Sequence, residues 1–593
     1  MKQYVTEIFF LLGKDRVKLV GLLLIFLTSS LIELIGIGLI GPYISAIINP
    51  GDEIMISFYN FLDKFKIIIT HQYIIVFLSI GLLIIFLIKS AMMILINYVV
   101  INFSNLQNKK IRTKLMQSYQ SYSYNLYIER NSSEYIQAAL VYAGAYTSSL
   151  HRLIKMVSES IITMFIVGFL AWMNWVMVLS FIVLLGLYIF GFDKVFRKVL
   201  KKAGEMQNRY NIISIQAIQE GIKGFKEIRI LGKEKHFENL VEETTGNSMH
   251  YATRSAVISS SPRSIVEPIL VAFIVTIVLS IHQMGESLIS FIPLLAMFGA
   301  GILRLIPAAT FFSSSFSVLH NNRFAVSRLF KDLSFTQENI YEFKNKSLAH
   351  KDTEIQFNNF RLKSVYFSYP KSDSWVLKDV SMDIKSGDSI GIIGPSGSGK
   401  TTLIDVLLGL LEPQQGEMFF NGATLRESLV EWRSQCAYLP QEVFITDNSL
   451  RRNVALGISD SNIDDKRLFE ALSQARLNKF LDQLSDGVET MLGEHGVRLS
   501  GGQRQRVALA RAFYHKRNVL IMDEATSALD NETEQEIIDE IKHFKGEKTL
   551  IVIAHRLTTV QNCNCIFRIE DGQIAEKGTL EEITKSQEKC VNV

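Results

Sequence analysis

The sequence has few cysteines: four, at positions 436, 563, 565 and 590. They are too few and too clustered for a disulfide framework. Cys563 and Cys565 stand two apart with no second ligand pair, so a buried structural role is expected of them. Charge is also scarce. Only 20% of residues are Asp, Glu, Lys or Arg, and the net charge is +4. A chain this apolar and this nearly neutral lacks the signature of disorder. It also lacks the Glu and Lys wealth of a coiled coil. With no global basic field, nucleic acid is not an expected partner.

What is present is apolar surface. Apolar residues make up 48% of 593, and the mean hydropathy is positive. At roughly 100–200 residues per domain, the length suits two to four domains. The average hides an asymmetry along the chain.

Residues 1–330 read as a membrane domain. Six apolar stretches run over about 17–48, 73–100, 156–173, 175–192, 264–281 and 288–312. A bilayer core takes about 20 apolar residues at 1.5 Å rise per residue, and helix is the default there because the backbone must satisfy itself. The third and fourth stretches meet at Ala171-Trp172-Met173-Asn174-Trp175, a tight turn with interfacial tryptophans. Buried helices of a large soluble protein do not account for six such stretches joined by charge-free hairpins.

Lys and Arg set the expected orientation. Lys2, Lys14, Arg16 and Lys18 precede the first helix, and the connections after the second and fourth are rich in cations. The connections after the third and fifth have none. Both termini and the two long connections are therefore expected in the cytoplasm. No cleavable signal peptide is evident, because the first helix is too long and no small-residue site follows it.

The long connections, about 101–155 and 193–260, keep helical periodicity and are expected to prolong the membrane helices. Each holds a candidate transverse segment, near 129–138 and near 221–233. In the external connection 49–72, the aromatics of Phe58–Phe65 share one helical face, which predicts a helix on the outer membrane surface.

Composition changes at about 331. Residues 331–354 are polar and read as a linker; 355–593 read as a soluble α/β domain with strands at Ser389–Ile393 and Val519–Met522. The run Gly394-Pro395-Ser396-Gly397-Ser398-Gly399-Lys400-Thr401 matches a phosphate-binding loop and sits, as that motif requires, between a strand and the helix-like Thr402–Leu411. Glycines let backbone N–H groups converge on phosphate, and the helix N-terminus favours negative charge. Lys400 reaches the outer phosphates, and the Thr401 hydroxyl binds Mg²⁺. A second element, Val519–Met522 followed by Asp523 and Glu524, is a buried strand ending in two acids. Asp523 suits Mg²⁺, and Glu524 suits polarising the attacking water.

The third element is Leu499-Ser500-Gly501-Gly502-Gln503, and with it the order of motifs resembles the ATP-binding cassette (ABC) family. The resemblance implies Tyr369 as the adenine-stacking aromatic. It implies Thr402 beside the phosphates, and Gln441 as a sensor of Mg²⁺ and of the membrane domain. Ser500, Gly501, Gly502 and Gln503 would face the nucleotide of a second cassette. Asp530 falls in the loop between subunits, Glu494 in a loop that touches the membrane domain, and His555 at the γ-phosphate. Gln441, Glu524 and His555 form the implied catalytic set, with ATP and Mg²⁺ as cofactors. Six helices followed by one cassette is the half-transporter layout of ABC exporters. The implied fold is thus an all-α transmembrane domain followed by an α/β P-loop NTPase. One phosphate loop and one LSGGQ per chain, both intact, imply a homodimer with two sites.

Three cations lie inside the apolar stretches: Lys89, Arg263 and Arg304. A charge there is costly and marks function by default. At 1.5 Å per residue they fall about 24, 27 and 24 Å from the outer edge. Such a ring would attract an anionic headgroup. The competing expectation is internal pairing, with Glu267 serving Arg263 and Glu33 serving another. The runs Ser30–Gly38 and Ile222–Arg229, with the long external connection, resemble bacterial lipid-linked oligosaccharide flippases. These imply a polyprenyl-pyrophosphate glycan as substrate and the bacterial inner membrane as location. An exporter of peptides or hydrophobic drugs is the alternative, and a non-transporting switch is a third possibility.

Overall fold

The computed structural model describes residues 2–48, 53–64, 71–283, 288–339, 356–370, 372, 374–493, 496–523, 546–554 and 557–591. Within the helices, many side chains in 180–193 and 259–291, Arg263 and Glu267 included, lie outside that description. The chain forms two compact units. One is Met1–Tyr122 with Arg130–Ile340; the other is Ser123–Glu129 with Tyr341–Val593.

The first unit is helical. Its elements are α1 (Lys2–Leu12), α2 (Lys18–Gly38), α3 (Ile40–Ile48), α4 (Glu53–Lys64), α5 (His71–Gln120), α7 (Ser132–Gln137), α8 (Ala143–Met173), α9 (Trp175–Lys223), α10 (Phe225–Leu231), α11 (Glu234–Gln283) and α12 (Leu288–Asn339); α6 (Tyr124–Ile128) belongs to the second unit. Among the described residues, four helical stretches are long and apolar enough to cross a membrane: Gln3–Ile48, Tyr73–Gln120, Ser132–Met173 and Ile292–Ser334. The remaining expected spans, 175–192 and 264–281, fall inside α9 and α11.

Lipid as solvent explains their surface. Leu83, Leu87 and Ile94 of α5 are exposed, because hydrocarbon gives no reason to bury them. Trp172 and Trp175 are exposed at the α8–α9 turn. Asn174 between them is extended, and its side chain accepts from the Met177 N–H, starting α9. Pro293 and Pro307 stand inside α12, which membrane helices tolerate.

The helices run far past the bilayer. α5 has 50 residues, about 75 Å, and α12 has 52. α12 continues nine residues beyond 330, into the stretch expected to be linker. The first transverse segment lies upstream of its expected place: the chain breaks at 121–123 and 129–131, on either side of α6. The second is α10, held between Gly224 and Gly232; Gly232 takes φ +61° at the helix end. The helix expected in the connection 49–72 is α4, and its apolar face turns onto the bundle. Met55 and Leu62 are buried against Ala46, Ile74 and Leu78, so its apolar face packs on α3 and α5.

The second unit holds two sheets. β1 (Asn359–Phe367), β2 (Leu377–Lys385), β4 (Gln415–Phe420) and β5 (Ala423–Thr424) form an antiparallel sheet in the order β2-β1-β4-β5. β3 (Ser389–Ile393), β6 (Cys436–Leu439), β7 (Val519–Asp523), β8 (Thr549–Ile553), β9 (Cys565–Glu570) and β10 (Gln573–Gly578) form the other, in the order β10-β9-β3-β8-β7-β6. Its strands are parallel except at the β10 edge. The described helices are α13 (Lys400–Leu407), α14 (Leu425–Gln435), α15 (Leu450–Val454), α16 (Asp465–Gln474), α17 (Asn478–Leu481), α18 (Gly501–Tyr514), α19 (Leu557–Val560) and α20 (Leu580–Val591).

The parallel sheet is apolar on both faces, as crossover packing requires. Side chains alternate along each strand. Val519 and Ile521 of β7 face the core that holds Leu403 and Leu407 of α13. Leu520 and Met522 face the core that holds Val507 and Leu509 of α18. α13 and α18 therefore cover opposite faces of one sheet. Cys436, Cys563 and Cys565 form no disulfide among the described residues and are partly buried against these cores and a smaller one.

Candidate functional site

The phosphate loop follows β3, whose five residues are all buried. Buried backbone that must leave a sheet and turn at once into a helix needs glycine at its tightest points. A Cβ on Gly394 would stand 2.2 Å from the Ile569 carbonyl oxygen, and φ is +155°. Gly399, at φ +102°, precedes α13, which starts at Lys400 and stops at Leu407. The helix is shorter at its C-terminal end than the expected Thr402–Leu411.

Lys400 Nζ donates to the carbonyls of Gly394 and Pro395, each at 2.9 Å, so its ammonium lies within the curve of the loop. The Ser398 hydroxyl is buried with no hydrogen-bond partner among the described residues. An orphaned hydroxyl, a buried ammonium and glycines too tight for a side chain all fit phosphate oxygens. The Tyr369 hydroxyl lies 3.2 Å from Thr402 Oγ1, and its ring stands edge-on to Phe367. Thr401 is exposed at the first turn of α13.

Asp523 ends β7, where parallel sheets present their chemistry. Its carboxylate is buried and accepts a hydrogen bond from the Tyr438 hydroxyl at 3.1 Å. Burial, and then the Asp523 charge, push the Asp405 carboxyl up to about 6. Asp405 and Asp523 are thus near enough to couple, and neighbouring carboxylates suit Mg²⁺. The sequence reading missed Asp405 and Tyr438. The available signal was an acid inside the otherwise apolar run Leu403–Leu411.

Ser500 caps α18. Its Oγ accepts from Gln503 N–H at 3.2 Å, and Gln503 Oε1 accepts from Ser500 N–H at 2.8 Å. This reciprocal box fixes the start of Gly501-Gly502. Because α18 and α13 cover opposite faces of the sheet, the chain does not bring Ser500–Gln503 onto the face that carries the phosphate loop. Gln441 is exposed in the bend after β6. Glu494, Glu524, Asp530 and His555 lie outside the described residues.

In the membrane unit, Lys89 and Arg304 do converge, but not as free cations. Lys89 Nζ lies 2.7 Å from Glu33 Oε1. Arg304 Nε lies 3.2 Å from the same oxygen, and its Nη2 lies 2.9 Å from Glu159 Oε2. The expected cation ring is thus corrected at two of its three positions: α2, α5, α8 and α12 bring two cations and two carboxylates together. The reason is desolvation, since an unpaired ion in a low-dielectric interior costs several kcal/mol or more. Glu33 was a foreseen partner. Glu159 was missed, although it stands in the third apolar stretch. The side chain of Arg263 is outside the description.

Residues 377–527 match the family described as "ABC transporter", and 19–298 match "ABC transporter transmembrane region". An "ATP-dependent lipid A-core flippase" of Saccharophagus degradans is 30% identical, over 77% of this chain and 75% of its own. One of Ralstonia nicotianae is 31% identical, over 72% of each. The fold is similar to the solved "Structure of a bacterial Atm1-family ABC exporter with ATP bound". That match has a TM-score of 0.72 and 18% identity, over 96% of this chain and 97% of the other. The chain therefore belongs to the ABC transporter family, as an exporter-type half-transporter that couples ATP hydrolysis to transport across a membrane.

Proposed function

We propose that this chain, as a homodimer in a bacterial inner membrane, flips a lipid-linked glycan, most specifically a polyprenyl-pyrophosphate oligosaccharide, from the cytoplasmic leaflet outward. The observation that carries this reading is the charged interior of the membrane bundle, where three cations and two carboxylates line one cavity. Such an interior replaces the hydration of a headgroup better than that of an apolar cargo. Relatives named as flippases of lipid A-core support the same class.

In the cassette, Gly394–Gly399 and Lys400 would hold ATP phosphates, with Ser396 and Ser398 among the loop donors. Tyr369 would hold the adenine, and Thr401, Gln441 and Asp523 the Mg²⁺. Glu524 would orient water and His555 would contact the γ-phosphate. Ser500–Gln503 would complete the site of a partner cassette, which fits their place on the other face of the sheet. Both termini and the cassette would be cytoplasmic.

A second reading has its own support. Neutralisation of Lys89 and Arg304 leaves room for neutral cargo, which favours a peptide or hydrophobic drug exporter. ATPase activity in proteoliposomes separates the two. Stimulation by a polyprenyl-pyrophosphate disaccharide or lipid A, with none by drugs or peptides, is the expected result. The reverse pattern overturns the flippase reading.

A further inference from the structure

The chain passes between its two units three times: after Tyr122, before Arg130 and after Ile340. Residues 123–129 make the first excursion, and α6 is its helix. The residues flanking that excursion converge on one residue of α12. Arg130 Nη1 donates to Asp332 Oδ1 at 3.0 Å, and the Tyr119 hydroxyl donates to Asp332 Oδ2 at 3.2 Å. The Tyr122 hydroxyl donates to the Asp332 carbonyl at 3.4 Å. Asp332 itself stands about 10 Å short of Asn339, the last residue of α12. Every passage between the units thus has its anchor in the first unit at or near this side chain.

Asp332 is 4% exposed, so its charge is held away from water, close to the buried Leu329 and Leu333. A buried ion pair adds little net stability, because desolvation offsets the attraction; apolar side chains of like volume would hold the helices as firmly. What such a pair adds is a fixed register. Neighbouring contacts fix the same one. A turn earlier, Arg328 Nη2 lies 3.5 Å from Glu134 Oε2 of α7. A turn before that, the Phe324 ring stands edge-on to Tyr142, with centroids 6.3 Å apart. Residues 324, 328 and 332 share one face of α12, since positions four apart lie one above another. The Tyr119 ring, edge-on to Tyr122 and Tyr135, closes the cluster.

We propose that Asp332 is a positioning residue for the coupling of ATP hydrolysis to transport: it fastens both ends of the α6 excursion to the last turns of α12, so that a displacement of either carries the other with it. Motion of the cassette then reaches α5, α8 and α12 as one movement rather than as separate pulls. Cutting this clasp uncouples the membrane helices and leaves the nucleotide site untouched. The role does not depend on what the chain carries.

The test is hydrogen exchange, read by mass spectrometry, on the full-length protein in nanodiscs with and without ATP, Mg²⁺ and vanadate. No cargo is needed, so failure of the flippase reading leaves the test intact. The reporter is the α8–α9 turn, residues 170–178, at the far end of α8 from the clasp. In the wild type, trapped nucleotide should change the exchange rate there. In Asp332→Asn, the ratio of rates with and without nucleotide should shrink by roughly twofold to thirtyfold, the range of contacts that carry coupling. Basal ATP hydrolysis and vanadate trapping should stay at the wild-type level. Asp332→Glu keeps the carboxylate and should recover part of the ratio. Tyr119→Phe removes one bond and keeps the ring; it should shift the ratio the same way by less, and it carries the test if Asp332→Asn does not fold. A merely structural role would raise exchange across the membrane unit before nucleotide is added and leave the ratio alone, which overturns the proposal. An unchanged ratio in Asp332→Asn, loss of trapping in that folded variant, or a wild type whose turn does not respond to nucleotide overturns it as well.

Discussion

Single residues decide what the membrane interior can hold. Glu33 serves both Lys89 and Arg304, so Glu33→Gln leaves one carboxylate for two cations. Breaking a buried pair from one side costs about 3–5 kcal/mol. The melting temperature of the purified protein should fall accordingly, and Lys89→Gln added to Glu33→Gln should recover part of the loss. Additive losses would mean that the pair does not couple. His515, just past α18, offers a pH test. Burial, with Arg517, Arg467 and Arg511 nearby, pushes its imidazole down to about 4. The folded state therefore resists protonation. That contribution is complete above the unfolded pKa of about 6.5 and is lost as pH falls from there to about 4. His515→Asn should flatten the decline in cassette melting across this window; an unchanged decline would assign it to other groups. At this scale the sequence showed the cations and offered Glu33 as one partner. It did not show Glu159 as the other, because Glu159 and Arg304 are 145 positions apart and meet only when α8 packs on α12.

Elements were easier to foresee, since periodicity and glycine act locally. The phosphate loop, β3, the acidic strand and the α8–α9 turn all lie where residue order puts them. Lengths were harder. The extension of α12 into the expected linker follows from packing, with Leu329 and Leu333 buried beside Leu11 and Leu12. The break that frees α6 comes earlier than the polar residues alone indicated, because Tyr119 and Arg130 on its two sides both bond the Asp332 carboxylate. In the cassette, Trp432 of α14 joins the antiparallel sheet to α13. Its ring centroid lies 4.2 Å from that of Phe360, and its N–H donates to the Leu407 carbonyl at 2.6 Å. Trp432→Ala should cost the cassette about 3–5 kcal/mol, and Trp432→Phe, which loses mainly the hydrogen bond, about 1 kcal/mol. Chemical unfolding monitored by cassette ATP binding would measure both; equal losses would assign the effect to the hydrogen bond alone.

At the scale of the molecule, one chain carries its phosphate loop and its LSGGQ on opposite faces of a sheet. A composite site between two copies makes a complementation prediction. Lys400→Ala and Ser500→Arg chains should each fail to trap ATP alone. Mixed one to one, about a quarter of the sites should be intact under two-fold pairing. No recovery on mixing would contradict the shared site. The motifs imply this pairing through resemblance, and the placement of α13 and α18 on opposite faces of the sheet is the physical argument for it.

The central claim is that ATP hydrolysis by this chain moves a lipid headgroup between leaflets. Its most direct measurement is leaflet exchange of a fluorescent polyprenyl-pyrophosphate disaccharide in sealed proteoliposomes, read by quenching from outside. Exchange that requires ATP and Mg²⁺ and stops in Glu524→Gln is the predicted result. Exchange at the same rate without ATP, or ATP hydrolysis with no exchange of this probe or of lipid A, would contradict it.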